Sequence, residues 1–304
     1  SYVGDALPVV TVQGTAANDA INGSSANELI LGLAGKDSLN GNAGDDILVG
    51  GSGADKLTGG AGADTFRFDT LTDSYRTTTS GFADLITDFD ITQDTIDLAN
   101  LGFSGLGNGT AGTLSISYNS AADRTYVKSL TADANGNRFE LGLSGNLLGK
   151  LDSKHFIFER TLEGTAANDT LTGTGGNDTL DGNAGADRID GGSGADRILG
   201  GAGADTLTGG AGADTFTYSS RLDSYRNYTS STPKQSDTIT DFNTSEDRID
   251  LSALGLRGLG DGSNNTIYLS RNDDGSKTYI KTDAIDSTGN RFEVALEGDL
   301  LSSL

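Results

Sequence analysis

Cysteine, methionine and tryptophan are absent from these 304 residues, proline occurs twice and histidine once. Without thiols there is no disulfide framework, no thiolate metal site and no cysteine nucleophile. The single imidazole, His155, cannot build a multi-histidine zinc site or a histidine-centred catalytic cluster. It lies in the apolar strand His155–Phe158 and reads as structural or surface. No run of about 18 apolar residues exists to span a membrane as a helix. Positive charge is scarce, 21 Lys and Arg against 43 Asp and Glu, which leaves a formal charge of −22. A nucleic-acid backbone needs clustered cations, so it is excluded as a partner. The motifs H-E-x-x-H and G-x-S-x-G and a G-K-[ST] phosphate loop are missing, and catalysis by this chain alone is not expected. The sequence opens with neither Met nor a signal-peptide pattern, as expected of an excised fragment or of a chain exported by another route.

Glycine is abundant, at 45 residues. High glycine with high acid could mean disorder, so periodicity decides. From Gly14 the chain reads GTAANDAIN, GSSANELIL, GLAGKDSLN, GNAGDDILV, GGSGADKLT, GGAGADTFR, and from Gly164 it reads GTAANDTLT, GTGGNDTLD, GNAGADRID, GGSGADRIL, GGAGADTLT, GGAGADTFT. These are two arrays of six nonapeptides, at 14–67 and 164–217, offset by 150 residues. The form G-G-x-G-x-D-x-U-x marks a calcium-binding parallel β-helix. Position eight is always large and apolar, from Ile21 to Phe66 and from Leu171 to Phe216, between mostly polar neighbours. That predicts three-residue strands with only the middle side chain inward. Glycines at positions one, two and four turn the chain. Two nonapeptides make one coil, so equivalent residues recur every 18 residues, about 4.8 Å apart through the stack.

Position six is acidic throughout: Asp19, Glu28, Asp37, Asp46, Asp55 and Asp64, then Asp169, Asp178, Asp187, Asp196, Asp205 and Asp214. The phase extends to Asp73, with Tyr75 in the apolar slot, and to Asp223, with Tyr225; Val12 and Leu162 occupy the slot upstream. The expected stack on one edge is Asp19, Asp37, Asp55, Asp73. Carboxylates at this spacing repel by about 1 kcal/mol per pair in water, more near protein. Oxygen-only ligands, carboxylates plus turn carbonyls, suit Ca²⁺ better than Zn²⁺ or Mg²⁺. All fourteen acidic residues are candidate calcium ligands, several ions per module. Glu28, and the repeats without a second glycine at the start of each array, are expected to bind weakly.

The segments after the arrays also match. DSYR at Asp73–Arg76 recurs at Asp223–Arg226, DLITDFD at Asp84–Asp90 aligns with DTITDFN at Asp237–Asn243, and DTIDL at Asp94–Leu98 with DRIDL at Asp247–Leu251. The offset is now 153, so three residues are inserted between Arg226 and Asp237, in a stretch with Pro233. TLSISY, TYVKSL, TIYLS and TYIKT alternate as strands, and Asn272–Lys277 reads as a hairpin turn. Thr131–Glu140 resembles a calcium loop superficially, but Gly136 comes too early and a turn is the better reading. Two tandem modules are expected, 1–159 (post-array segment 68–159) and 160–304 (post-array segment 218–304). His155–Glu159 has no counterpart in the second, whose last strand is expected to be missing.

The nonapeptides resemble the RTX superfamily of secreted bacterial proteins. The whole module, GGAGADTF, DSYR, D-x-I-x-DF, DRIDLSALG, GLGDG, TY-x-K and RFEVAL-x-G, resembles the R-modules of secreted alginate (mannuronan C-5) epimerases, over nearly all of both halves. The resemblance implies an all-β fold, a right-handed parallel β-roll per module with a C-terminal β-rich cap, elongated overall. It also implies extracellular location by type I export, calcium binding, alginate as ligand and a separate catalytic module as partner. Related alginate lyases carry similar modules.

Alginate is a polyanion, so cations must gather somewhere. Lys56, Arg76, Lys128 and Arg138 in module one and Arg188, Arg226, Lys281 and Arg291 in module two are the candidates, with Arg as the bidentate partner for uronate carboxylates. The bland alternative is that they balance local acids. Leu29, Leu31, Ile47 and Val49 point outward in module one where module two has Thr179, Asp181, Arg197 and Leu199. Either the post-array segment covers that face or it is a contact surface. The competing function is a calcium-triggered folding and secretion module of another RTX protein, such as a lyase, protease or adhesin, with no ligand of its own.

Overall fold

The computed structural model describes residues 10–227, 235–263, 265–283 and 289–304. The insertion around Pro233 lies outside them. Among the described residues one compact unit ends at Phe158 and a second begins at Glu159. Both are all-β, with only short 3-10 turns besides strands.

In the first unit the odd and even repeats form two separate parallel sheets. One runs Val10–Gln13, Glu28–Leu31, Ile47–Val49, Thr65–Arg67, Thr95–Asp97 and Phe156–Ile157. The other runs Ala20–Asn22, Ser38–Ala43, Lys56–Ala61 and Leu85–Ile86, then Arg138–Ser144. Register steps by 18 residues, Ile21 on Leu39 on Leu57 and Ile30 on Leu48 on Phe66. The two sheets share one thin core, because a three-residue strand can send only its middle side chain inward. Leu39, Leu48, Leu57 and Phe66 are fully buried, as are Leu180, Ile189, Ile198 and Phe216 in the second unit. Each contributes about 1.5–3 kcal/mol by leaving water. This is the β-roll that the periodicity predicts.

The last coil departs from the expected stack. Asp55 is followed not by Asp73 but by Asp84: Leu85 pairs with Lys56 and Ile86 with Leu57. On the other edge Asp64 is followed by Asp94, with Ile96 beside Phe66. Counting nines past the array fails because residues 74–83 leave the coil. Tyr75–Arg76 instead pairs antiparallel with Gly81–Phe82 and with Arg138–Ser144, and Tyr75 stacks on Phe82 rather than filling a core slot. Asp73 closes the turn Leu71–Asp73, accepting from the Asp69 and Thr70 backbone N–H groups. Ser74 then bridges the excursion: its hydroxyl accepts from Asp84 N–H and donates to the Glu140 carbonyl. The second unit repeats this with Asp223, Ser224, Asp237 and Asp247.

After the coils each unit adds an antiparallel meander to the odd-repeat sheet. Arg138–Ser144 lies parallel to Leu85–Ile86, then pairs antiparallel with Arg124–Lys128, which pairs with Thr113–Asn119. In the second unit the equivalents are Asn290–Glu297, Lys277–Lys281 and Tyr268–Arg271, with the turn at Asn272–Lys277 where the sequence suggests it. Thr131–Glu140 does begin as a turn, held by Asp133 accepting from Asn135 and Asn137 N–H. His155 is buried, its Nε2 within 3.0 Å of the Ile91 carbonyl, in keeping with a structural role.

Candidate calcium ladder and cationic groove

The acidic positions form a hydrogen-bonded ladder. The backbone N–H of each donates to Oδ1 of the acid one coil on: Asp19 to Asp37 at 2.8 Å, Asp37 to Asp55 at 2.7 Å, Asp55 to Asp84 at 2.7 Å. The other edge runs Glu28 to Asp46 to Asp64 to Asp94. The second unit runs Asp169, Asp187, Asp205, Asp237 on one edge and Asp178, Asp196, Asp214, Asp247 on the other. One carboxylate oxygen per rung is thereby satisfied.

The second oxygen separates two classes. At the start of each array position two is Thr or Ser, and its own groups serve the carboxylate. Asp19 Oδ2 accepts from Thr15 N–H at 2.7 Å and from its hydroxyl at 2.8 Å. Thr165 does the same for Asp169, Thr174 for Asp178, and Ser24 for Glu28. From the third repeat on, position two adopts positive φ, as at Leu33 (80°), Asn42 (72°) and Gly51 (83°). No such side-chain service follows. Among the described residues Oδ2 of Asp37, Asp46, Asp55, Asp64 and Asp84, and of Asp187, Asp196, Asp205, Asp214 and Asp237, is buried with no partner at hydrogen-bond distance, although the buried Tyr218 hydroxyl lies beside Asp237. An ionised oxygen left so in a protein interior is costly unless a cation meets it.

The space beside these oxygens is lined by more oxygen. A Cβ built on Gly32 would lie 2.5 Å from Asp37 Oδ2 and 2.5 Å from the Gly50 carbonyl oxygen. At Gly182 the same point lies 2.5 Å from Asp187 Oδ2 and from the Gly200 carbonyl. Position one is therefore glycine because any side chain would fill this gap. Among the described residues no three Asp, Glu or His side chains converge. A bound ion would thus take few carboxylates and complete its shell from carbonyls, which suits calcium with its six to eight oxygen ligands. The residues fit that ion, with Asp84, Asp94, Asp237 and Asp247 added to the expected set. Their signal, D-x-I at the array's spacing to the core, stood in the sequence but out of phase.

Burial pushes these carboxyls up. Asp64 and Asp196 rise to about 7, and Asp46, Asp55 and Asp205 to about 6. Neighbouring carboxylates add to the effect, as Asp37 and Asp73 do for Asp55. Asp84 and Asp237, deepest in the stack, are raised well above the usual range. A group with a raised folded pKa contributes stability that is present below its unfolded value, 3.8, and lost as pH rises through the folded value. Metal-free protein is therefore predicted to be most stable near pH 4 and to lose that stability by about pH 7, whereas calcium reverses the trend. Thermal melts in chelator from pH 4 to 8 check this; a metal-free melting temperature that climbs with pH contradicts it.

The basic candidates gather on the meander rather than along the coils. Arg76 lies directly opposite Arg138, and Lys128 opposite Glu140. Together with Thr77, Ser129 and Leu130 they line a groove of about 360 Å³. A second hollow of about 230 Å³, lined by Tyr118, Tyr126 and Asn119, shares Arg76, Lys128 and Glu140 with it. Arg76 Nη1 meets Glu140 at 3.2 Å, and the Lys128 ammonium sits 5.5 Å from the Tyr126 ring centre. In the second unit Arg226 opposes Arg291, and Lys281 lies 3.4 Å from Glu293 and 4.4 Å from the Tyr279 ring centre. Lys56 and Arg188 stay exposed on the coil strands of the same sheets, apart from these clusters. The tyrosines and central glutamates were not singled out from sequence; the TY-x-K and RFE motifs carried them. On the even face of the first unit Leu29 pairs with Ile47 and Leu31 with Val49, three of them half-buried and Val49 buried.

Comparison with known proteins accords with the ladder. The RTX calcium-binding nonapeptide repeat family matches residues 11–39, 31–66, 40–73, 163–198 and 190–220. The AlgE6R3 subunit of the Azotobacter vinelandii mannuronan C5-epimerase is 47% identical to this chain, which covers 84% of that structure and 52% of itself, with a TM-score of 0.43. The chain belongs to the RTX family, in the R-module branch of the mannuronan C5-epimerases. Mannuronan C5-epimerase AlgE5 of A. vinelandii is 61% identical over 79% of this chain and 24% of its own length. Alginate lyase 7 of the same organism is 57% identical over 79% of this chain and 28% of its length. The chain thus spans about a quarter of the length of these two curated relatives.

Proposed function

We propose that the chain is a pair of non-catalytic calcium-binding modules, 1–159 and 160–304, of a secreted alginate-modifying enzyme, a mannuronan C5-epimerase by its relatives. The modules bind alginate and support the activity, folding and export of a separate catalytic module. The observation that carries the ligand is the cationic cluster, repeated in both units, where two arginines and a lysine gather beside a tyrosine; in the first unit it lines a groove. An extended polyuronate presents a carboxylate on every residue, and arginine pairs with it bidentately. Calcium on the ladder offsets the charge that would otherwise repel it. The calcium ligands in this reading are the ladder acids with an orphaned oxygen, with Asp94 and Asp247 at the ends; Asp19, Glu28, Asp169 and Asp178 are satisfied within their own turns.

The same clusters support the second reading, a folding and export module without a ligand, because Glu140 and Glu293 already pair with Arg76 and Lys281. Affinity chromatography on immobilised alginate, with and without calcium, separates them. Removing both charges at Arg226 and Lys281 should cut retention several-fold at low salt and leave calcium-dependent folding intact. Arg76 and Arg226 are exposed, so the retention they give should fade as salt screens them over about 8 Å at physiological ionic strength. Equal retention of the double variant excludes this groove and favours the export reading.

A further inference from the structure

The two units differ by one buried oxygen at the inner end of a ladder. Phe68 and Tyr218 are counterparts at the offset of 150, each two residues past the last apolar slot of its array. Both are buried. Phe68 N–H donates to the Asp97 carbonyl at 3.0 Å, and Tyr218 N–H to the Asp250 carbonyl at 3.1 Å. The Phe68 ring meets Phe139 edge to face, with centres 5.8 Å apart and planes at 82°. The Tyr218 ring meets Phe292 in the same way, at 5.4 Å and 80°. Backbone and ring thus take equivalent places, and the hydroxyl is what the second unit adds.

That hydroxyl is buried, has no partner at hydrogen-bond distance among the described residues, and lies beside Asp237. Asp237 ends the edge Asp169, Asp187, Asp205, as Asp84 ends Asp19, Asp37, Asp55. The two terminal acids are otherwise alike. Asp84 N–H donates to the Ser74 hydroxyl at 2.9 Å, and Asp237 N–H to the Ser224 hydroxyl at 2.8 Å. Oδ1 of each accepts from the acid one coil back, Asp55 N–H at 2.7 Å and Asp205 N–H at 2.9 Å. Both are buried, and Oδ2 of both is orphaned. The equivalent ring of the first unit, Phe68, carries no donor to offer Asp84. A phenol does, and an acceptor oxygen on an ionised carboxylate has lone pairs for more than one partner.

We propose that Tyr218 is a positioning residue that stands in for the ion at this rung: with calcium absent, its hydroxyl donates to Asp237 Oδ2 and holds the end of the ladder closed. The same edge already uses this device at its start, where the Thr165 hydroxyl donates to Asp169 Oδ2 at 2.9 Å. In the first unit Thr15 serves Asp19 in that way at 2.8 Å, but the far end has no such group. The proposal rests on the calcium reading of the ladder and adds an order to it. As free calcium falls, the Asp55–Asp84 rung opens before the Asp205–Asp237 rung.

Amide exchange in the full chain, followed while a chelator buffer lowers free calcium, tests this. Asp205 and Asp237 N–H report the rung in the second unit, Asp55 and Asp84 N–H the rung in the first. Tyr218→Phe installs the first unit's own residue. It should raise the free calcium at which Asp205 and Asp237 lose protection about tenfold, the size of one hydrogen bond to a charged group, and leave Asp55 and Asp84 unchanged. Phe68→Tyr should lower the midpoint for Asp55 and Asp84 by a similar factor; if that variant does not fold, Tyr218→Phe alone decides. Unchanged midpoints in Tyr218→Phe, or an equal rise in both units, overturn the proposal and leave the ladder standing. Protection indifferent to calcium in every variant overturns both.

Discussion

Excess calcium chelator should abolish most of the β-sheet circular dichroism signal of this protein at neutral pH. Among the described residues ten buried carboxylate oxygens have no donor at hydrogen-bond distance, and they stand in rows along the edges of two thin rolls. Each adjacent ionised pair costs about 1 kcal/mol even at the dielectric of water, and more inside protein. A ligand that binds only the folded state returns about 2.7 kcal/mol per site at 100-fold excess over Kd. A few such sites equal the whole stability of an ordinary domain, roughly 5–15 kcal/mol. The coils add little apolar burial to offset this, since their three-residue strands bury little beyond the middle side chain. Readdition of calcium should restore the signal, with a steep dependence because neighbouring sites share rungs. A spectrum and melting temperature indifferent to chelator would contradict the role given to the ladder.

Replacing Asp205 by Ala should cost far more than replacing Asp169 by Ala, although both occupy position six. Asp205 accepts from Asp187 N–H through one oxygen, and the other is orphaned beside the turn carbonyls. Its loss strands a buried N–H, worth about 1.5–3 kcal/mol for a bond to a charged group, and removes a calcium ligand worth about 2.7 kcal/mol under saturating conditions. Together about 4–6 kcal/mol of unit stability and at least one ion should disappear. Asp169 accepts from Thr165 N–H and its hydroxyl, so it resembles a helix cap, worth about 1 kcal/mol. Calorimetric calcium titration with thermal melts of both variants decides; equal losses of ions would refute the distinction.

The roll itself was legible because its signal is repeated twelve times: one apolar residue and one acid per nonapeptide admit only one stacking. The end of the stack was not. Asp73 keeps the nine-residue phase, but the chain leaves the coil at Ser74, and a hydroxyl bonded to both Asp84 and Glu140 returns it. Nothing in a periodic count shows such a side-chain bridge, although the D-x-I at Asp84 and Asp94 marks where the coil resumes. Missing second glycines point to weak sites over the first three to four repeats of each array, whereas the orphaned oxygens of Asp37, Asp46 and Asp187 set only the first two repeats of each array apart. The physical reason is different: Leu33 and Asn42 adopt positive φ without glycine, whereas Thr15 and Ser24 turn their own hydroxyls onto the acid. The cationic grooves depend on antiparallel pairing between segments some 60 residues apart, Arg76 with Arg138, which sequence alone could match between modules but not fold together.

The most direct test of the ladder is anomalous diffraction from crystals grown with calcium. The account predicts ion density beside Oδ2 of Asp37, Asp46, Asp55 and Asp64 and of Asp187, Asp196, Asp205 and Asp214, each ion also touching turn carbonyls. It predicts none beside Asp19, Glu28, Asp169 or Asp178, whose second oxygens are held by their own turns. Ions at those four positions, or none beside the orphaned oxygens, would contradict it.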